Sequence, residues 1–377
     1  MKKIIFIISL IYVGQLNAEC SDLDSLECVY WGEYCEWNEE TDQCQEIGGG
    51  GDVVYGPYDV FSISQSDGMR DGPLYLDATL YYPDSAETPL TSVILGPGWG
   101  GDGASLSDWA YFFASYGFIA TTIDYNDPIN ESHQQRAEAM LDLIITVKLE
   151  NSRADSPVLG LIDTNKFALA GYSISGGVTQ IAATMDSTLD AVIALNPTII
   201  IEDCEGCSDF EYCICLLPDH LDHTVPTLII AGENEIDELP DYDGLLGGDQ
   251  YDNTPETTIK MLYEIQDGGH SSAVLPFGGF IQGKTLEWLK YHLLGDADVC
   301  NSLLEVPDDA SQFLTTLECV ISLDFDINGD GSVDSFDLVT LVSLVINGNT
   351  MDDNSDLNDD DISNIFDILI LSDYLNG

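Results

Sequence analysis

Short apolar runs alternate with helical patterns between residues 74 and 294, and this alternation limits the possible folds more than any other feature of the sequence. Most of the runs contain several β-branched residues, which suit strands that are buried on both faces of a parallel sheet. The intervening helical patterns are clearest at 133–149 and 284–294. The alternation predicts an α/β fold with a mainly parallel central sheet. The predicted strands lie at 74–83, 91–101, 118–125, 166–171, 191–197, 226–234 and 258–265.

The strand predicted at 166–171 runs directly into a turn that reads GYSIS at 171–175. This is close to G-x-S-x-G, the pattern of a nucleophile elbow, in which a sharp strand-to-helix turn exposes a serine hydroxyl. Strand and helix pass closely at such a turn, so Gly171 and the residue two after the serine have to be small. Ser175 adds only a CH2OH group to the usual glycine, and Ser173 is therefore the predicted nucleophile. The alternatives are Ser175 as nucleophile and a plain turn without chemistry.

A serine nucleophile needs a base, and the chain has five histidines. His270 lies in the loop IQDGGHSS, directly after an apolar run, where a base at the edge of the sheet is expected. His133 at a helix start and His292 on the last helix are predicted to be surface residues. His220 and His223 fall in a cysteine-rich insertion. His270 is therefore the predicted base.

The base in turn needs a carboxylate that holds its ring in one tautomer. The stretch LIIAGENEIDEL places Glu235 just after another strand, with Asp237 as the alternative. Ser173, Glu235 and His270 then follow one another in the nucleophile, acid, base order of α/β-hydrolases. This order predicts an α/β-hydrolase fold for the main domain.

An oxyanion hole needs backbone N–H groups directed at the charge that develops on the substrate. The N–H of Ile174, directly after the nucleophile, is one predicted donor. The loop LGPGWGGDG supplies the other, with the N–H of Trp99 as donor and its ring as a wall of the substrate site. A plain Gly-rich turn is the alternative reading of this loop.

Five stretches together resemble the bacterial cutinase and poly(ethylene terephthalate) hydrolase family, within the wider dienelactone-hydrolase superfamily. They are GPGWGG, YGFIATTIDYND, IDTNKFALAGYSISGG, VPTLIIAGENEID and DGGHSS, and the resemblance covers residues 52–295. It implies a secreted serine esterase that hydrolyses carboxylic esters through an acyl-enzyme, without a catalytic cofactor. The chain departs from the family pattern at three single residues and by an insertion at 202–223. Glu235 replaces Asp in the acid motif, Ser175 replaces Gly in the elbow, and Thr198 stands where an aromatic wall is expected.

Acidic residues outnumber basic ones by 67 to 10, which gives a net charge of −57. Such a chain cannot neutralise phosphates, and this argues against nucleic acid and anionic membranes as partners.

Residues 1–18 contain two lysines, an apolar run and a final small residue, and they are predicted to be a secretory signal peptide cleaved after Ala18. A membrane anchor is the alternative, but the apolar run from Ile4 to Val13 is too short to span a bilayer. The protein is therefore predicted to be extracellular.

Ten cysteines fall in three even groups, as expected of disulfides in an oxidising compartment. The insertion at 202–223, which the resembled family lacks, holds one group and could be a metal site. It is predicted to hold two disulfides instead, because thiols oxidise in that compartment. The predicted segments are a Cys-rich mini-module at 19–47, a Gly linker at 48–51, the catalytic domain at 52–296, and a connector at 297–321 bridged by Cys300 and Cys319.

Two similar segments, thirty residues apart, make up the predicted module at 322–377. Each has the oxygen-ligand spacing of an EF-hand-like loop followed by a helix pattern, which predicts structural Ca²⁺. Asp361 replaces the turn glycine of the first loop, so the second site is predicted to be weaker. An acidic disordered tail is the alternative. The predicted ligands are Asp326, Asn328, Asp330, the carbonyl of Ser332 and Asp337 in the first loop, and Asp356, Asn358, Asp360, the carbonyl of Ile362 and Asp367 in the second.

The duplicated loop and helix resemble a type I dockerin, which implies a cohesin-type partner on a scaffold or cell surface. The pairs Ser335-Phe336 and Ile365-Phe366 stand where a pair of small hydroxyl residues is usual. This tail favours a second function, an acetyl or feruloyl esterase docked on a polysaccharide-degrading assembly. A third hypothesis is a catalytically inactive hydrolase fold that serves as a binding module.

Overall fold

The computed structural model describes residues 35–38, 43–46, 53–200, 221–239, 244–274, 278–319, 325–330, 332–347, 355–358 and 362–376. The predicted signal peptide, the Gly linker and the four cysteines of the insertion lie outside the described residues. The chain divides into two compact units, Met1–Leu317 and Glu318–Gly377.

The described residues of the first unit contain thirteen strands. They are β1 (Cys35–Asn38), β2 (Gln43–Glu46), β3 (Val60–Ser64), β4 (Asp77–Pro83), β5 (Leu90–Gly96), β6 (Ile119–Asp124), β7 (Ile162–Tyr172), β8 (Ala191–Leu195), β9 (Ile199–Ile200), β10 (Thr227–Gly232), β11 (Gly244–Leu245), β12 (Lys260–Ile265) and β13 (Ala310–Thr315). Strands β1 and β2 pair with each other, as do β9 and β11. The other nine form one sheet in the order β13-β12-β10-β8-β7-β5-β6-β4-β3.

The central pairs of this sheet are parallel, from β6 through β5, β7, β8 and β10 to β12. Antiparallel pairing occurs only towards its two edges, where β4 pairs with β3 and β6, and β13 pairs with β12. A mostly parallel sheet with helical crossovers confirms the predicted α/β class and fits the α/β-hydrolase fold.

Helices fill most of the connections between the parallel strands. In the first unit they are α1 (Ser107–Ser115), α2 (His133–Glu150), α3 (Ile174–Met185), α4 (Glu235–Glu238), α5 (Gly247–Asn253), α6 (Phe280–Leu289), which a π turn at Lys290–Leu294 extends, and α7 (Cys300–Leu304). No helix in the described ranges combines the length and the apolar character needed to cross a bilayer.

Burial explains why the central strands read as unbroken apolar runs. Every residue of β5, β8 and β10 is buried, because layers of helix and loop cover both faces of the sheet. The largest core joins strand side chains such as Ile94 and Leu169 to Met140 and Leu143 of α2 and Val178 of α3. The core fixes the central strands, and the turns at their carboxyl ends are therefore held in defined positions.

Both edges of the sheet differ from the sequence-based prediction. Strand β3 was not predicted, because its VFSIS sequence is half exposed and lacks a continuous apolar run. Strand β13 lies within the segment 297–321 that was assigned to a connector, and it covers the free edge of β12. Part of that segment therefore belongs to the catalytic sheet. Cys300 and Cys319 are both disulfide-bonded.

The few cations of the first unit are engaged with neighbouring groups. Apart from Lys2 and Lys3, each Lys and Arg of the chain contacts a carboxylate or lies over an aromatic ring. The ion pairs are Arg70–Asp142, Arg153–Glu150, Lys166–Asp190, Lys260–Glu256 and Lys284–Glu287, and the ring contacts are Arg136–Tyr125, Lys148–Phe167 and Lys290–Tyr116. Lys260 and Arg136 are completely buried.

The second unit contains two helices in its described residues, α8 (Ser335–Asn347) and α9 (Ile365–Asn376). Its small core is built from Phe325, Leu341, Leu357 and Leu371. Leu341 and Leu371 occupy equivalent positions of the duplicated segments, so the two helices contribute the same position to one core.

Candidate active site

The turn at 171–175 places one strained serine between a strand and a helix. Strand β7 ends one residue before Ser173, and α3 begins one residue after it. The φ of 54° and ψ of −121° at Ser173 lie outside the regions that non-glycine residues usually adopt. Its N–H donates to the carbonyl of Leu195 at 2.9 Å, and its carbonyl accepts from the N–H groups of Gly176 at 2.9 Å and Thr198 at 3.0 Å. These hydrogen bonds stabilise the strained backbone conformation of Ser173, and strain of this kind clusters at functional sites.

Strand β7 and helix α3 pass as closely as the sequence predicted. A Cβ on Gly171 would lie 2.2 Å from the carbonyl oxygen of Ser175, so only glycine fits there. Ser175 is completely buried, and its hydroxyl donates to the carbonyl of Pro97 at 2.5 Å. A hydroxyl held in this way cannot reach a substrate, which leaves Ser173 as the serine that the elbow presents.

His270 lies beside the elbow, on the loop that follows β12. Its Nε2 is 2.9 Å from Oγ of Ser173, within hydrogen-bonding distance. The loop is held from the elbow side, because the hydroxyl of Tyr172 donates to the carbonyl of His270 at 3.3 Å and the two rings are 5.7 Å apart. The structure therefore brings together the serine and the histidine that the sequence analysis singled out.

Glu235 stands at the other side of the imidazole, at the start of α4. Glu235 is 2% exposed, and its Oε1 is 3.7 Å from Nδ1 of His270. Nδ1 makes no hydrogen bond to the described residues. Asp237, the alternative acid, is exposed on the same short helix. Of the two carboxylates, Glu235 is the one that faces the histidine ring.

Asn196 organises the acid and the histidine loop, and sequence reasoning missed it. It is completely buried at the end of β8 with a φ of 40°. Its Nδ2 donates to Oε1 of Glu235 and, at 3.2 Å, to the carbonyl of Gly269. Its Oδ1 accepts from the N–H of Ala273 at 2.7 Å. The available signal was a polar residue at the end of an apolar strand, in ALNP.

Glu238 is a second carboxylate of the site that the sequence analysis did not consider. Its Oε2 accepts a hydrogen bond from the backbone N–H of His270 at 2.6 Å. Gly269 makes room for this contact, since a Cβ there would overlap the Glu238 carboxylate. Helix α4 therefore contacts His270 at two places: Glu238 binds its backbone N–H, and Glu235 faces its ring.

The loop after β5 lies against the elbow. A Cβ on Gly98 would be 3.5 Å from the Cβ of Ser173. The next residue, Trp99, has a 63% exposed side chain whose Nε1 donates to the carbonyl of Ile129 at 2.9 Å. Within the described parts of the chain, the N–H groups of Trp99 and Ile174 donate to no backbone carbonyl. Two N–H groups that are free to bind a ligand oxygen are what an oxyanion site requires.

Two other histidines, His133 and His292, do not behave as the sequence analysis expected. His133 was predicted to lie on the surface but is buried, with Nε2 3.1 Å from the carbonyl of Thr198. His292 is partly buried rather than exposed, and its ring lies 4.3 Å from that of Trp288. Burial lowers the pKa of His133, His223 and His292 to about 4 in each case, so all three are neutral at neutral pH. Helix position alone could not reveal this burial, which comes from tertiary packing.

Thr198 does not form a wall of an open substrate site, because it is buried. Its backbone bridges two elements instead: the N–H donates to the carbonyl of Ser173, and the carbonyl faces His133. In the described residues, no group of three or more His, Cys, Asp or Glu could hold a metal ion by itself, and this includes the acidic residues of the first predicted calcium loop.

The strand order, the strained elbow and the meeting of a serine, a histidine and a carboxylate at one edge of the sheet define the class of the α/β-hydrolases. The family model "PETase: PET hydrolase-like" matches residues 52–318, and the chain belongs to this family. The match ends just beyond β13, so it includes the strand that the sequence analysis had assigned to a connector.

Several relatives align with part of the chain at 28–29% identity. Cutinase est2 of Thermobifida alba is 28% identical over 238 residues, covering 61% of this chain and 69% of the relative. Cutinase 2 of Thermobifida cellulosilytica is 28% identical over 254 residues, covering 66% and 86%. Bis(hydroxyethyl) terephthalate hydrolase of Streptomyces coelicolor is 29% identical over 147 residues, covering 39% and 45%. The protein is a carboxylic ester hydrolase.

Proposed function

We propose that the chain is a secreted serine esterase that hydrolyses polyesters and related carboxylic esters through an acyl-enzyme. The observation that carries this proposal is the 2.9 Å contact between Oγ of Ser173 and Nε2 of His270 at the strained elbow. A nucleophile within hydrogen-bonding distance of its base is the geometry that acyl transfer requires.

In this mechanism Oγ of Ser173 attacks the ester carbonyl carbon while Nε2 of His270 takes the hydroxyl proton. The carbonyl oxygen becomes an oxyanion and is bound by the N–H groups of Trp99 and Ile174. His270 then gives its proton to the leaving alkoxide, which departs as an alcohol and leaves the acyl-enzyme. Water, deprotonated by His270, attacks the acyl carbon, and the carboxylic acid is released as Ser173 regains its proton.

Glu235 has the role of orienting and charge-stabilising the imidazole in this scheme. The 3.7 Å separation between its Oε1 and Nδ1 of His270 is longer than a hydrogen bond. Catalytic hydrogen bonds are often long in the absence of substrate and shorten in the reacting complex. Burial supports the role, because a buried carboxylate stabilises the imidazolium more strongly than a solvated one.

The names of the relatives favour a polyester substrate, and the exposed ring of Trp99 beside the elbow offers a flat surface for an acyl or aromatic group.

We expect the full chain to release soluble acids from amorphous poly(ethylene terephthalate) film and little acetate from acetylated xylan. Both reactions are followed by liquid chromatography, with Ser173→Ala as the control on each substrate. Acetate release from xylan alone would favour the carbohydrate-esterase alternative, and no release from either by a folded protein would favour the inactive binding module.

We propose further that the second unit binds Ca²⁺ and docks on a cohesin-type partner. In the first loop the N–H of Asp330 donates to Oδ1 of Asp326 at 3.0 Å and to Oδ1 of Asn328 at 2.8 Å. Two predicted ligand oxygens are therefore held by the same backbone N–H, which keeps them close to each other. Asp337 is completely buried, and its carboxylate accepts from the N–H groups of Asn328 and Asp334. An oxygen set of this kind suits Ca²⁺.

The second loop repeats part of this arrangement. Asp367 is buried, and it accepts from the N–H groups of Leu357 at 2.7 Å and Asn364 at 2.6 Å. Asp360 lies outside the described residues.

Calorimetric titration of the chelator-treated full chain with CaCl2 tests the calcium proposal. We expect binding heat from the full chain, with the tighter step removed by Asp326→Ala because that substitution deletes a charged ligand. The matched control is Asp308→Ala, which removes an exposed carboxylate outside the duplication. A titration without heat for the unsubstituted chain would contradict calcium binding.

A further inference from the structure

Ser175 connects three segments that surround the nucleophile. Its Oγ donates to the carbonyl of Pro97 at 2.5 Å and lies 2.9 Å from the hydroxyl of Tyr125. A carbonyl can only accept, so the single serine proton is used on Pro97 and Tyr125 must donate to Ser175. The residue is completely buried. It thus joins the start of α3 to the loop after β5 and to the residue after β6.

Tyr125 is itself fixed by a buried cation. The guanidinium of Arg136 lies 4.5 Å from the centre of the Tyr125 ring. Arg136 donates to the carbonyl of Pro128 at 2.6 Å, and the same carbonyl accepts from the N–H of Gly100 at 2.9 Å. Burial raises the pKa of Tyr125 to about 12, so its hydroxyl keeps the proton that it donates to Ser175.

These contacts hold the loop at 97–101 from both of its ends. Ser175 holds it at Pro97, and the Pro128 carbonyl holds it at Gly100, with Arg136 and Tyr125 connecting the two points. The predicted oxyanion donor, Trp99, lies between them.

The space around Ser175 is built for a side chain larger than glycine. A Cβ on Gly96 would lie 2.7 Å from the hydroxyl oxygen of Tyr125 and 2.9 Å from the Cβ of Ser175. Gly96 therefore leaves the volume that the serine and tyrosine hydroxyls fill. Removal of the serine hydroxyl would leave the Pro97 carbonyl and the Tyr125 hydroxyl without their buried partner, which is a costly arrangement. Relaxation of the loop would relieve it.

We propose that Ser175 is a positioning residue that sets the distance between the N–H of Trp99 and the N–H of Ile174. Ser175 directly follows Ile174 in the chain, and Pro97 precedes Trp99 by two residues, so one hydrogen bond couples the two donors over a short backbone path. This inference rests on the proposed function, in which these two N–H groups bind the oxyanion. Ser175, which departs from the common elbow pattern, would therefore affect stabilisation of the transition state rather than substrate binding.

The test is the kinetics of Ser175→Ala with p-nitrophenyl acetate. We expect kcat to fall about 10- to 100-fold, because a displaced oxyanion donor loses part of the 10²- to 10³-fold that one donor supplies. KM should change less than about twofold, since ground-state binding makes little use of these donors. The serine hydroxyl adds to a trifluoromethyl ketone and forms an oxyanion. The affinity of Ser175→Ala for such a ketone should therefore fall by a similar factor.

The matched control is Ser115→Ala. Ser115 is as buried as Ser175, and its hydroxyl also joins two segments, donating to the Phe112 carbonyl at 2.6 Å and accepting from the N–H of Gly56 at 2.8 Å. A merely structural role would make both variants lose stability and keep kcat. Folded Ser175→Ala with wild-type kcat and ketone affinity overturns the proposal.

A second variant keeps the proposal testable if Ser175→Ala does not fold. Tyr125→Phe keeps the ring over Arg136 and removes only the donor to Ser175, and we expect a fall in kcat of about threefold with KM unchanged, because the Pro97 bond is retained. Wild-type kcat in folded Tyr125→Phe then overturns the proposal. Failure of the proposed function is distinguishable from failure of this inference. It would appear as activity retained in Ser173→Ala, whatever the result for the Ser175 variants.

Discussion

Ser173→Ala is expected to reduce p-nitrophenyl acetate hydrolysis by about 10⁴- to 10⁶-fold, to near the uncatalysed rate, because loss of a nucleophile removes the covalent route altogether. The substitution deletes one partly buried hydroxyl at a position whose backbone is held by hydrogen bonds to Leu195, Gly176 and Thr198. None of these bonds uses the side chain, so the thermal midpoint should stay close to that of the unsubstituted protein. Stopped assays at high enzyme concentration measure the residual rate.

A covalent probe supplies the control for this result. A fluorophosphonate should label the unsubstituted protein at Ser173, as identified by mass spectrometry of the modified peptide, and should not label Ser173→Ala. Ser175→Ala should still be labelled at Ser173. Substantial turnover by folded Ser173→Ala, or a label on Ser175, would contradict the assignment of the nucleophile.

The second large effect is expected at the acid. Glu235→Gln should lower kcat about 10²- to 10⁴-fold, because an amide cannot stabilise the imidazolium or fix its tautomer as a carboxylate does. Asp237→Asn, on the same short helix, should stay within about twofold, since exposed charges interact weakly across solvent. Glutamine preserves the size of Glu235 and can still accept from Asn196, so the pair of variants compares charge at two neighbouring positions.

Steady-state kinetics of both variants, with thermal unfolding as a check on folding, decides between the two carboxylates. Equal losses would show that both act on the histidine. A large loss in Asp237→Asn alone would move the acid to Asp237. A small loss in both would transfer the role to another group of helix α4, such as Glu238, which already binds the N–H of His270.

The sequence was most informative where chemistry follows a strand end. Ser173 comes directly after β7, Glu235 and His270 come shortly after β10 and β12, and the carboxyl ends of parallel strands meet at one edge of a sheet. Local patterns were therefore enough to predict the class of the fold. They were also enough to predict which side chains meet at this edge of the sheet. Gly171 was predictable for the same reason, because its neighbour in space is also its neighbour in sequence.

Contacts between distant segments could not be predicted in this way. Asn196 reaches Glu235 across 39 positions, and Ser175 reaches Pro97 across 78. Their partners are set by the packing of whole elements, and no local pattern encodes that packing. His133 illustrates the same limit, since a residue at the start of a helix is usually solvated but here faces the carbonyl of Thr198. Strands β3 and β13 were missed because half-exposed edge strands lack a continuous apolar run.

The pairing of the scarce cations within the first unit has a consequence at a solid substrate. Because these positive groups are held by internal partners, the field that reaches outward comes mainly from unpaired carboxylates, and two copies adsorbed side by side repel each other. The range of that repulsion is the Debye length, roughly 10 Å at 0.1 M salt and 3 Å at 1 M. In dilute buffer each molecule therefore excludes an area wider than its own footprint, whereas in brine the adsorbed layer can approach close packing. Coverage of an insoluble surface by this protein is thus governed by ionic strength as well as by affinity.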